Sequence, residues 1–235
     1  MAMYHKIYVD TFKVPAGSKF NKIIEVRTPG VAALEFSAAV ENFSVKLNDM
    51  EIDNQYANFE DWNELRYLDD ISQFIPADLT KTLIIGVREG DKLVGYNGPL
   101  KLELKGTATT GTGDIKYDVY AILSEVTSPL VAYKDVIVEG GTGGQFSKTF
   151  NGFGNMKIVK EGDGGATYMK IKRNGQTILE YPPTTSITLI LGKNTIYNAK
   201  DETTLYMLNT STNDTITIAL LKKKLLREWN PVSTK

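Results

Sequence analysis

Apolar and polar residues alternate along most of this chain in short runs bounded by Gly, Pro and Asn. "KIYVDTFKV" (6–14), "FNKIIEVRT" (20–28), "AALEFSAA" (32–39) and "FSVKL" (43–47) have a period of two or are β-branched, and they predict strands. The period then changes once. In "NFEDWNELRYLDDISQFI" (58–75), Trp62, Leu65, Leu68, Ile71 and Ile75 recur at spacings of three and four, which predicts a helix. Asn58 is placed to cap it, acids fill its first turn, and Pro76 stops it. Strand patterns resume at 82–87, 99–104 and 115–123, with the Gly/Thr-rich "KGTATTGTGD" as a loop between the last two. "SEVTSPLVAYK" (124–134) reads as a connector, because Pro129 interrupts any ladder there. The runs beginning at 135, 146, 155, 167, 176, 186, 203 and 214 then predict a second set of strands.

The two sets resemble each other. "SVKLNDMEI" (44–52) and "KIKRNGQTI" (170–178) carry apolar residues at matching places around a two-residue turn. Phe43, Val45 and Ile52 align without a gap on Met169, Ile171 and Ile178. The turns are Asn48-Asp49 and Asn174-Gly175, residue types that accept the positive φ of a type I′ turn. Each set opens on an alternating strand and closes on one, "YDVYAIL" or "TITIALL". This self-similarity predicts a tandem duplication. The first β domain covers 1–125 with the inserted helix near 58–75. A linker covers 126–133, a second domain 134–222 with a Pro-Pro turn at 182–183, and a tail 223–235. Seven or eight short strands per domain suggest an all-β fold of two eight-stranded antiparallel jelly rolls, with immunoglobulin-like sandwiches as the competing architecture.

Composition narrows the chemistry. At 235 residues with 42% hydrophobic and 23% charged residues, the chain is ordinary globular material. A net charge of −1 supplies no global field toward nucleic acid or anionic membrane. With no cysteine there are no disulfides and no thiolate chemistry. No apolar h-region opens the sequence and no run approaches a bilayer span.

His5 is the sole histidine, so a His-based triad or a multi-histidine metal site is excluded. Paired acids suit glycoside hydrolysis, and Glu60-Asp61, Glu64 and Asp69-Asp70 are the candidates. Helix dipole and solvation explain them more simply. "EGGTGGQFSKT" (139–149) has Ser147, not Gly, before Lys148-Thr149, and so misses the phosphate-loop pattern. "EGDGGAT" (161–167), with Asp163, lacks the ligand count of a calcium loop. No basic stripe interleaved with aromatics points to sequence-specific nucleic-acid binding. No catalytic residue, cofactor or metal is expected.

Charge is uneven locally. Residues 51–78 carry eight acids (Glu51, Asp53, Glu60, Asp61, Glu64, Asp69, Asp70, Asp78) against one base, Arg66. The tail is basic and amphipathic: Lys222, Lys223, Lys224 and Arg227 interleave with Leu225, Leu226 and Trp229, a pattern suited to an anionic membrane surface or a partner protein. The competing account is a terminal element packed on its own domain with the lysines in water.

A duplicated all-β domain, the paired hairpins at Asn48-Asp49 and Asn174-Gly175, no cysteine, no catalytic set and one inserted helix together resemble a known group. It is the double jelly-roll major capsid proteins of tailless, icosahedral, membrane-containing viruses, the adenovirus-type lineage, in its compact members from bacterial viruses such as those of flavobacteria. The resemblance implies a non-enzymatic virion subunit made in the host cytoplasm. It implies a homotrimer of pseudo-hexagonal outline, because two similar domains in each of three chains approximate sixfold symmetry. It also implies neighbouring capsomers, penton and minor capsid proteins and an internal viral membrane as partners, with the tail Lys222–Trp229 near the base of the shell. The alternative is a phage tail or fibre subunit, or another non-enzymatic β-sandwich binding protein.

Overall fold

A computed structural model describes residues 4–52, 55–66, 77–89, 92–162, 167–184, 187–191 and 200–231. The chain divides into two compact units, residues 1–133 with 223–235, and residues 134–222.

Unit 1 begins with β1 (Tyr4–Pro15), β2 (Lys19–Val26), β3 (Val31–Phe36), β4 (Val40–Leu47) and the two-residue β5 (Met50–Glu51). A short helix α1 (Phe59–Asn63) precedes β6 (Thr82–Ile84), β7 (Val87–Glu89), β8 (Lys92–Tyr96), β9 (Leu100–Ala108), β10 (Asp114–Ser124) and β11 (Thr127–Ser128). One sheet runs β1-β10-β3-β8-β11, with β6 beside β3 and β7 beside β8; the other runs β2-β9-β4-β5. Strict alternation explains the faces. In β9, Leu100, Leu102 and Leu104 are buried between the sheets while Lys101, Glu103 and Lys105 face out.

Unit 2 consists of β12 (Leu130–Gly140), β13 (Gln145–Asn151), β14 (Met156–Glu161), β15 (Thr167–Arg173), β16 (Gln176–Thr184), β17 (Ile187–Leu191), β18 (Glu202–Leu208) and β19 (Thr215–Leu225). The first four residues of β12 and the last three of β19 fall in unit 1. The sheets run β12-β19-β14-β17 and β13-β18-β15-β16. Numbered within the unit, these orders are 1-8-3-6 and 2-7-4-5. Unit 1 has the same orders when β1, β2, β3, β4, β5, β8, β9 and β10 are numbered one to eight. This is the eight-stranded double Greek key of a jelly roll, present twice. Its core in unit 2 is Phe146, Phe150, Phe153, Met156, Ile158, Met169, Ile171, Ile187, Leu205, Met207, Ile216, Ile218 and Leu220.

Four local expectations change. The helix expected over 58–75 is α1 alone among the described residues, with Glu64, Leu65 and Arg66 already in a turn; residues 67–76 lie outside the described ones. Asn58 does cap it, its Oδ1 accepting from Asp61 N at 2.8 Å. The apolar residues serve an aromatic cluster, Phe36, Phe43, Tyr56, Phe59 and Trp62, with neighbouring ring centroids 4.9–5.6 Å apart. Arg66, the one base in the acidic run, is buried, stacked 3.6 Å from the Trp62 ring centroid and donating to the Trp62 and Ala132 carbonyls. Asn63 completes the arrangement, bonding both Thr82 O and Ile84 N, so the segment closes the end of β6.

The loop expected over 105–114 is shorter, since β9 continues to Ala108 and pairs there with Val40. The connector 126–133 contains β11 and the start of β12, separated at Pro129. Pro182 and Pro183 continue β16 instead of turning. That strand lies at the edge of its sheet, where a missing N–H costs no ladder bond.

Candidate functional site

The acids and glycines that invite a catalytic reading are scattered. His5 is exposed, 3.6 Å from Glu125 Oε1. Glu60 is exposed, and Asp61 and Glu64 are half-buried on and just after α1. Asp69, Asp70 and Asp163 lie outside the described residues. Lys148, in the glycine-rich 139–149 segment, forms an ion pair with Glu139, which ties β13 to β12. Among the described residues no group of three His, Cys, Asp or Glu side chains is placed to hold a metal, and no helix is long and apolar enough to cross a membrane.

The hairpin turns are where the two units repeat one another in detail. Asn48 and Asp49 have φ of 48° and 63°, and Asn174 and Gly175 have 48° and 80°, the left-handed pair of a type I′ turn. In both units the asparagine clamps the start of the seventh strand. Asn48 N donates to Lys101 O at 2.8 Å and Asn48 Oδ1 accepts from Lys101 N at 2.8 Å. Asn174 N donates to Glu202 O at 2.8 Å and Asn174 Oδ1 accepts from Glu202 N at 2.9 Å. Backbone and side chain together imitate one more rung of a ladder, which joins the turn to a strand across the sheet.

The amide NH2 groups diverge. Asn174 Nδ2 donates to Asp201 Oδ1 at 3.1 Å, and the residue is exposed. Asn48 is 1% exposed, and its Nδ2 donates to Arg227 O at 2.8 Å and Pro99 O at 3.3 Å. Beside it, the Lys101 ammonium bonds Asp49 at 2.8 Å and holds that carboxyl below the usual range. Burial pushes the Tyr96 phenol up.

Arg227 belongs to the basic tail, whose members are now placed. Lys222 pairs with Asp135 at 2.6 Å in unit 2. In unit 1, Lys223 pairs with Glu89 at 3.3 Å. Lys224 donates to Glu51 O at 3.1 Å and lies 4.6 Å from the Tyr133 ring centroid. Leu226 is buried in the unit 1 core, and its N donates to Pro129 O. Arg227 N donates to the Met50 sulfur. Leu225 is 65% exposed, Arg227 is exposed and Trp229 half-buried. Instead of a free amphipathic element, Lys222–Leu225 finish β19, and Leu226 and Arg227 after it form a strap on unit 1. The amphipathic pattern comes from strand alternation and from this seat.

The hairpin alignment also needs one correction. Val45 faces Ile52, whose N bonds Val45 O, but Ile171 faces Leu179 across a register shift in β16. Leu179 packs against the core, and Ile178, the residue aligned with buried Ile52, stands 52% exposed.

No family model and no curated protein matches the sequence. Among solved structures, the major capsid protein P2 from bacteriophage PM2 superposes with a TM-score of 0.55 at 10% identity, covering 96% of this chain and 98% of that one. A quasi-atomic model of the PBCV-1 virus capsid matches with a TM-score of 0.40 at 9% identity, over 95% and 94% of the two chains. What the first of these shares with the present chain from end to end is the fold, two jelly rolls in succession.

Proposed function

We propose that this chain is a structural subunit of a viral icosahedral capsid. The observation that carries this reading is the 1-8-3-6 and 2-7-4-5 strand order repeated twice, in a chain that matches the bacteriophage PM2 major capsid protein over nearly the whole of both. Stability here resides in sheets and turn clamps, the properties a building block needs. The assembled form is a homotrimer of pseudo-hexagonal outline, contacting neighbouring capsomers and penton or minor capsid proteins. It tiles a shell over an internal membrane, in a virion made in the host cytoplasm. Because Lys222, Lys223 and Lys224 are engaged within the chain, the tail meets neighbours through Leu225, Arg227 and Trp229.

Negative-stain imaging of the purified chain with its native mass tests this. A particle of three times 26.1 kDa with a compact hexagonal outline is the expected result. An elongated trimer would instead indicate a tail or fibre subunit, and a monomer at all concentrations would refute the shell-building role.

A further inference from the structure

We propose that the outer face of the β2-β9-β4 sheet of unit 1 carries a binding groove for an acidic carbohydrate. The groove arises from an irregularity in β4. The register with β9 shifts between Glu41 and Ser44, Asn42 takes a left-handed φ of 46°, and Asn42 N and Phe43 N bond Ala57 O and Tyr56 O at 2.8 Å instead of continuing the ladder. Gln55 is fastened over the bulge by its bond to Asn42 O at 3.3 Å. Together with β2 and β9 these residues enclose an open groove of about 840 Å³, in the size range of small-ligand sites.

Its lining has a consistent chemistry. Lys19 and Lys105 supply positive charge, and among the described residues no carboxylate lines the groove. Glu103, next along β9, lies outside it, engaged with Lys105 at 3.2 Å and Asn21 at 3.1 Å, and is held below the usual carboxylate range by those bonds. An ammonium has three donors, so Lys105, which is 51% exposed, retains donors for a ligand. Among the described residues the side chains of Lys19, Asn42, Ser44 and Thr107 form no hydrogen bond within the protein. Two hydroxyls and three amides, each amide able to donate and accept, match the hydroxyl pattern of a sugar. Phe20, between Lys19 and Asn21 on β2, turns its ring to the other side of the sheet, against Phe12 and Tyr117, so the ligand-facing side chains are polar. The lysines add charge-assisted bonds to a carboxylate or sulfate on that sugar. A single-stranded nucleic acid would require successive stacking rings along a longer basic track, and among the described residues no aromatic ring faces the groove. The groove lies wholly within unit 1 of one chain, so the proposal does not depend on the assembly role.

Titration of the full chain with glucuronic acid and N-acetylneuraminic acid, read by calorimetry or amide shifts, tests it against glucose and inorganic sulfate. The expected result is saturable millimolar binding of an acidic sugar. Binding should weaken about tenfold or more in a Lys19→Gln/Lys105→Gln variant that still unfolds cooperatively. Absence of binding by both acidic sugars overturns the proposal, as does equal binding by the variant. Equal affinity for glucose refutes the acidic specificity, and equal affinity for sulfate reduces the groove to an anion site.

Discussion

The side-chain amide of Asn48 donates to the carbonyl oxygen of Arg227 at 2.8 Å, across 179 residues of sequence. The corresponding amide in the second unit, on Asn174, reaches only Asp201, 27 residues away and at the surface. One turn motif has thus been put to two uses. In unit 2 it ties a hairpin to its own sheet, and in unit 1 it also receives the returning end of the chain.

Asn48→Ala should therefore cost more than Asn174→Ala. The first leaves partly buried backbone groups of Lys101, Pro99 and Arg227 without their partner and forces alanine into a left-handed φ, a loss of roughly 2–4 kcal/mol. The second exposes its orphaned groups to water and should cost about 1–2 kcal/mol. Equal midpoint shifts in denaturant unfolding would contradict this account.

Deleting residues 223–235 should destabilise unit 1 as well as impair assembly. It removes Leu226 from the core, a burial term of about 2 kcal/mol, and opens the Asn48 amide. Hydrogen exchange should quicken in β4, β5 and β9 of the shortened chain, with β13–β18 protected as before. Unchanged exchange together with unchanged particle yield would show that the strap serves neither end.

In unit 2, Lys160 and Asp214 form a 3.1 Å ion pair with both side chains 0% exposed. Asp214→Ala should cost roughly 3–5 kcal/mol, because it removes the carboxylate paired with a buried ammonium and the acceptor of the Ser211 N–H. Lys160→Met combined with Asp214→Leu should recover part of that loss, the Ser211 N–H still lacking its acceptor. A double-mutant cycle with no coupling between the two positions would refute the arrangement.

At Gly175, φ is 80°, a region that penalises a β-branched residue. Gly175→Val should lower stability by about 1–2 kcal/mol, and Gly175→Asn by much less. Identical melting temperatures for the two variants would mean that the turn relaxes freely.

Acid should weaken the surface. Asp49, Asp78, Glu103, Asp118 and Glu180 all have depressed values in the folded state. The largest cause is a hydrogen bond from Lys101, Thr80, Lys105, Lys116 and Lys170 respectively. Their contribution is present above their ordinary values of 3.8 and 4.5 and disappears as pH falls through the lower folded values. Lys101, Lys116 and Lys170 are shifted upward, so their share is lost only above about 10.5. A melting temperature that declines below about pH 4, and less so in high salt, is the expected profile.

Local signals were readable from the residues. Alternation marked the long strands, and Asn-Asp and Asn-Gly marked turns whose φ values are left-handed. Non-local bonding left no such trace. Nothing around Asn48 announces Arg227, and nothing in Lys222–Lys224 announces Asp135, Glu89 or the Glu51 carbonyl. The strand Lys92–Tyr96 escaped notice because Gly95 weakens its pattern. That glycine sits where any Cβ would overlap the Gly30 backbone, a packing demand invisible along the chain. Ile178 was misplaced for a similar reason, since one extra residue in an edge strand reverses inside and outside without altering the turn before it. The groove leaves no trace along the chain because its lining comes from pairs of polar residues on three strands distant in sequence, together with Gln55.

The return of the strap to unit 1 also sets an order of synthesis. Arg227 leaves the ribosome after all of residues 134–222, so the buried amide of Asn48 stays without this partner while the whole second unit is being made. The first unit is thereby closed only by residues translated after the second.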